Sequence, residues 1–236
     1  MPVKQLAGKT ILLTSGPTTA PLDDVRYIAN RSTGRLGSEI GLHCVQAGAY
    51  IIQLAGPGSV TLQDAAAEPI HDQLEIERYE TVEQLKGLLQ AQLKQQPIDA
   101  VLMAAAVLDY IPVQTVAGKQ SSQSDEWVVT FRRGEKLIEK ILQWSPGSLL
   151  VGFKLESRID LEALQERALD LMQRSGAQLV VANRLQEIGE EHVAYLVSRD
   201  HSGQAALSAP LATRREIAQR LVMAIAERLN ERDKAT

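Results

Sequence analysis

The chain has 236 residues with 44% hydrophobic and 23% charged side chains and a formal net charge of −4. That length can bury a sizeable core, while the acidic balance argues against nucleic acid or an anionic membrane as the main partner. A single cysteine, Cys44, excludes an intrachain disulfide and a cysteine-rich zinc site, and no apolar run approaches the roughly 20 residues that span a bilayer.

The amino terminus lacks the apolar core of a signal peptide, so a cytoplasmic protein is expected. Four histidines are scattered without ligand spacing. Short β-branched runs alternate with helical periods, the pattern of a parallel sheet covered by helices. The expected fold is one α/β domain over 1–236, a Rossmann-like parallel sheet flanked by helices, with an extended flap.

The first strand is "TILLTSG", and a helix is expected over 33–48 with Cys44 buried on its apolar face. Strand-to-helix connections usually take two to six residues, but the crossing from Gly16 to Thr33 is about three times longer and carries Arg26 and Asn30. Ser32 or Thr33 can cap the helix, and Gly16, Gly34 and Gly37 permit close backbone approach. Unpaired amides and the helix dipole would then face an anion. This is neither a G-x-G-x-x-G fingerprint nor a Walker loop, and from local spacing alone an ordinary capped helix fits equally.

A strand "YIIQLAGP" and a weaker one near "IERYE" follow, then a helix over 81–95 and a strand "DAVLMAAAV". The three alanines leave room for a flat ligand or a carboxyl bound to the backbone of Ala105 and Ala106. Asp109, at the strand terminus, suits a ribose hydroxyl or a magnesium ion; small residues there can equally accommodate a helix. From Asp109 to Arg133 a Pro-, Gly-, Gln- and Ser-bearing loop ends in the alternating strand "EWVVTFRR", a flap of about 110–133 suited to pairing with a second subunit. Lys119 lies in it. A helix over 135–144, the strand "SLLVGFKL", a helix over 160–174 and the strand "AQLVVANR" come next, with Gly48 and Gly176 at helix C-caps. Phe153 could pack a base edge or simply the core. "HVAYLVSR" and "QAALSAP" form a hairpin, and a closing helix starts at Thr213.

Together these stretches resemble the phosphopantothenoylcysteine synthetase (phosphopantothenate–cysteine ligase) family. The family's "GPT…D.VRYISN.SSG.MG" stands here as "GPTTAPLDDVRYIANRSTGRLG", and its "AAV.D" as Ala105 to Asp109. Its flap lysine falls at Lys119, its "GF" at Gly152-Phe153, and its "AND" as "ANR". The resemblance implies that 4′-phosphopantothenate reacts with CTP, or ATP, to an acyl-nucleotidylate and pyrophosphate, and that cysteine then displaces the nucleotide, with Mg2+ at Asp109. It implies nucleotide contacts at Gly16, Ser32, Thr33, Gly34, Gly37, Asp109 and Phe153, substrate contacts at Asn30, Ala105 and Ala106, and catalytic roles for Asn30, Lys119 and Arg26. It further implies a stand-alone homodimer, its flap crossing to the partner, served by a separate flavin-dependent decarboxylase. Ser121 stands where the family often has a second lysine, only Arg174 stands where many members carry paired lysines, and Arg184 replaces the aspartate of "AND".

Two rival classes remain open. A short-chain NAD(P)-dependent reductase shares the opening strand, turn and helix, but none of the five tyrosines has a lysine four residues on. A non-catalytic nucleotide-binding protein could use the same fold.

Overall fold

A computed structural model describes residues 4–123, 125–189, 191–199 and 203–235. In chain order the strands and helices are β1 (Thr10–Ser15), β2 (Thr19–Pro21), β3 (Tyr27–Ala29), α1 (Arg35–Gln46), β4 (Tyr50–Ala55), α2 (Leu62–Ala65), β5 (Leu74–Arg78), α3 (Val82–Gln95), β6 (Ala100–Met103), β7 (Tyr110–Pro112) and β8 (Phe131–Arg133). They continue with α4 (Ile141–Trp144), β9 (Leu149–Glu156), α5 (Leu161–Ser175), β10 (Leu179–Arg184), β11 (Tyr195–Arg199), β12 (Ala205–Leu207) and α6 (Arg214–Ala235).

The main sheet runs β12-β11-β10-β9-β6-β1-β4-β5. From β10 to β5 every pairing is parallel, and the β11–β12 hairpin adds two antiparallel strands. Numbered among themselves, the six parallel strands stand in the doubly wound order 3-2-1-4-5-6, whose direction of winding reverses between β1 and β6. Apolar strands such as "TILLTS" and "YIIQLA" are buried on both faces, as a sheet covered on both sides requires. One face packs α1 and α6 through Ile40, Cys44, Ile217 and Leu221. The other packs α3 and α5 through Leu85, Leu89, Leu164 and Leu171. Burial pushes the Cys44 thiol up to about 12, so it packs as a small apolar group and supplies no thiolate.

The Thr81–Gln84 capping box starts α3, and Gly176, left-handed at φ 75°, ends α5. Other expectations shift. "IERYE" is strand only from Leu74 to Arg78, because Tyr79 turns inward. The expected helix over 135–144 is a 3-10 turn at Leu137–Lys140 followed by the single turn of α4. The strand "DAVLMAAAV" ends at Met103. Of "EWVVTFRR" only Phe131–Arg133 is strand, paired with Tyr110–Pro112, with Val113 N donating to Thr130 O just beyond it; Val128 is exposed. Ser124 lies outside the described residues. Among those described, no helix is long and apolar enough to cross a membrane.

Candidate functional site

The long crossing folds back on the sheet at the switch point. Its β2–β3 hairpin was not legible as strand, since three-residue strands carry no measurable period. Gly16 leaves β1 at φ 81°, where a Cβ would sit 2.6 Å from the side chain of Ser59. Gly34, at φ 71°, is pressed against Ser59 from the helix side. Ser59 is therefore clasped between two glycines, and Val60 N donates to Thr33 O at 3.0 Å. The loop after β4 is thus a third wall of the cradle, one that spacing around "GPTTAP" does not reveal.

The cap expectation needs correction. Gly34 is the N-cap of α1, and neither Ser32 nor Thr33 caps it. The helix's first-turn N–H groups consequently have no side-chain acceptor, the arrangement that attracts an anion. Gly37 is buried in α1, where a Cβ would lie 3.1 Å from Ser15, so it also allows close packing of helix on strand. Beneath the cradle, Gln53 donates to Ser15 Oγ at 2.9 Å and accepts from Leu62 N at 2.9 Å. Tyr79 donates to Ser15 O at 2.8 Å, and burial pushes its hydroxyl well above the ordinary range, which keeps it a neutral donor.

Across the switch point the end of β6 meets the same crossing. Ala106 N donates to Gly16 O at 2.9 Å, Thr18 N to Ala106 O at 3.3 Å, and Ala105 N to Thr14 Oγ1 at 3.1 Å. Asn30 Nδ2 donates to Ala106 O at 3.3 Å and Val107 O at 3.2 Å. Both the Ala105 and the Ala106 N–H are thus committed within the chain. What the alanines contribute is lack of bulk beside a cleft of about 370 Å³, lined by Ile28, Asn30, Leu108, Asp109, Tyr110 and Phe131. Asp109 Oδ1 lies 2.5 Å from Lys136 Nζ, a partner sequence spacing does not signal from 27 residues away.

The flap is held in place by the crossing. Asp23, with its side chain fully buried, accepts from Val25 N, Arg26 N and Gln120 N. Asp24 N donates to Gly118 O, and Gly118 N to Asp24 Oδ2. Arg26 donates to Gln120 O at 2.7 Å, pairs with Asp23 at 3.0 Å and stands 4.8 Å over the Trp127 ring. Arg26 thus clamps the flap to the crossing. Lys119 sits between the two pinned residues, exposed, with no hydrogen bond or ion pair to any described residue.

Burial alone would raise the Asp23 carboxyl, but three backbone N–H groups and the Arg26 guanidinium together outweigh it and hold the carboxyl below its ordinary value. A depressed carboxyl stabilises the clamp above the unfolded value of about 3.9 and loses that contribution as pH falls below it. In a Trp144→Phe protein, Trp127 fluorescence should report a docked flap down to about pH 4 and a change below. Asp23→Asn should give the undocked signal at neutral pH; an identical titration in both proteins would dismiss the clamp.

Elsewhere along the carboxyl ends, Phe153 packs half-buried against the core. Asn183 is buried, its Nδ2 3.2 Å from His192 Nε2. Arg184 makes two hydrogen bonds to Glu187, at 2.9 and 2.5 Å, so its charge is spent on a neighbour. Asp23, Ser59, Trp127 and Lys136 were missed at the sequence level; only "DDVR", an Asp-initiated turn, carried a local signal.

With this geometry in place, comparison with known proteins is informative. The family described as "DNA/pantothenate metabolism flavoprotein C-terminal domain" matches residues 6–229. A Coenzyme A biosynthesis bifunctional protein CoaBC from Thermococcus kodakarensis is 34% identical over 219 residues, 92% of this chain and 51% of that protein. The CoaBC of Bacillus subtilis is 28% identical over 184 residues, 78% of this chain and 42% of that protein. The chain thus spans about half the length of the curated relatives it matches. Among solved structures, the DNA/pantothenate metabolism flavoprotein from Streptococcus pneumoniae superposes with a TM-score of 0.79 at 26% identity, covering 92% of this chain and 97% of that one.

Proposed function

The chain belongs to the DNA/pantothenate metabolism flavoprotein C-terminal domain family, and from that premise we propose that it joins L-cysteine to 4′-phosphopantothenate through an acyl-nucleotidylate, with CTP preferred to ATP. The observation that carries this reading is a single segment, Gly16 to Gly37. It walls an uncapped helix N-terminus, hydrogen-bonds the end of β6 through Asn30, and grips the Lys119 flap through Asp23 and Arg26. A site that must hold a triphosphate, a second phosphate and an acyl group needs such a convergence.

In the first half-reaction the pantothenate carboxylate attacks the nucleotide α-phosphorus and pyrophosphate leaves. The α1 amides and the Lys119 ammonium stabilise the phosphate charge. In the second, the cysteine amine attacks the acyl carbon, CMP departs, and the Asn30 amide meets the acyl oxygen as it gains charge. Magnesium would supply charge neutralisation on the triphosphate. Among the described residues Asp109 is the one carboxylate lining the cleft, it is already ion-paired to Lys136, and no three His, Cys, Asp or Glu gather around a point. The ion would therefore arrive on the nucleotide.

Pyrophosphate release measured with 4′-phosphopantothenate and cysteine should be fastest with CTP and require the acyl substrate. NADPH consumption without pyrophosphate release would instead establish the reductase reading.

A homodimer working in the cytoplasm, served by a separate decarboxylase, completes the proposal. Val25, Tyr27, Tyr110, Val128 and Phe131 are exposed around the flap ribbon, apolar surface that a second copy would cover. Light scattering should give twice the chain mass; an active monomer at nanomolar concentration would refute it.

A further inference from the structure

The return limb of the flap grips Asp109 twice. Gly134 N donates to the Asp109 backbone O at 2.8 Å, and Lys136 Nζ meets its carboxylate at 2.5 Å. The neighbouring acid, Glu135, is occupied by Lys86 at 2.5 Å, so Lys136 is left to Asp109. With the Asp109 side chain 57% exposed and that of Lys136 32% exposed, such a pair adds little to stability. Its consequence is electrostatic: it sets the charge of the cleft wall, where Asp109 is the only carboxylate among the described lining residues.

The acyl substrate of the proposed reaction, on which this inference rests, is itself a carboxylate. Brought beside an uncompensated Asp109 it would be repelled at the moment when its own oxygen must be free to attack. We propose that Lys136 is a positioning residue that neutralises and orients Asp109, so that an anionic acyl substrate, rather than a cation, is accepted against it. Lys136 thereby selects for the acid form of the substrate from outside the segments that form the cradle.

Calorimetric titration tests this without turnover, using 4′-phosphopantothenate and, as a comparator with the same phosphate but no carboxylate, 4′-phosphopantetheine. Lys136→Met should weaken phosphopantothenate binding about tenfold, as unit charges several ångström apart repel under surface-like screening, and weaken phosphopantetheine less. Lys136→Arg should bind as the wild type does. The double variant Lys136→Met with Asp109→Asn removes the uncompensated charge and should recover most of the lost affinity, a coupling that a merely structural lysine would not show. Equal affinity of Lys136→Met and wild type for the acid, equal losses for both ligands, or a double variant no better than the single one, overturns the proposal. Wild-type protein that binds no phosphopantothenate overturns the function reading, and this assignment with it.

Discussion

Asn30→Ala is expected to form the acyl-nucleotidylate at a near-normal rate and then stall, with aminolysis by cysteine slowed on the order of 10²–10³-fold, the usual cost of losing one oxyanion donor. The amide already points into the right neighbourhood. It lines the cleft and donates to the Ala106 and Val107 carbonyls at 3.3 and 3.2 Å, both at the upper end of normal length. To serve a developing oxyanion it must exchange one of these neutral acceptors for a charged one, and a charge-assisted bond is the stronger of the two. The competing account is architectural: Asn30 staples the crossing to the end of β6. Loss of two neutral hydrogen bonds would then cost about 1 kcal/mol each in stability and disturb both half-reactions together. Quenched-flow analysis of the folded variant separates the accounts. Trapped acyl-nucleotidylate supports the donor role, and equal slowing of both steps would falsify it.

Lys119→Gln should show the opposite pattern, slowing nucleotidyl transfer on the order of 10²-fold while leaving aminolysis of preformed acyl-nucleotidylate near its normal rate. Pyrophosphate carries its charge away from the α-phosphorus, and an ammonium is an adaptable point charge for such a group. Gly118 and Gln120 are tied to Asp24 and Asp23 on either side of Lys119, while the lysine itself is exposed. The backbone is thus held while the long side chain stays available. Lys119→Arg should retain more activity than Lys119→Gln, because the charge survives. A wild-type burst of pyrophosphate from Lys119→Gln would remove the lysine from the chemistry.

The two variants divide the proposed reaction between the crossing and the flap, and the structure shows which polar groups of those segments bond within the chain. Arg26 sits four residues before Asn30, and the family resemblance implies a catalytic role for it. In the fold its terminal nitrogen meets Gln120 O and Asp23 while the guanidinium stands over Trp127, and its Nε is buried without a partner among the described residues. Ala105 and Ala106 looked like a backbone docking strip, yet Thr14 and Gly16 take up their N–H groups.

Hydrophobic period, turn residues and caps are local properties, and these determined the parallel sheet covered by helices, α1, α3 and α5 to within about two residues at each end, the start of α6, and the burial of Cys44. The motif order along the chain also determined the family, because "VRYIANRSTGRLG" is long enough to be specific. What the tertiary structure alone decided is which polar groups remain free once the chain has satisfied itself. Buried backbone donors must find partners, as Gln120 N does on Asp23, and close packing and ion pairs likewise join residues far apart in the sequence: Ser59 between Gly16 and Gly34, Lys136 with Asp109. No periodicity encodes such pairings, since they depend on where separate strand ends meet. The same residues that sequence marks as chemical can therefore be consumed as structure, and a lysine that sequence passes over can come to govern the charge of the site.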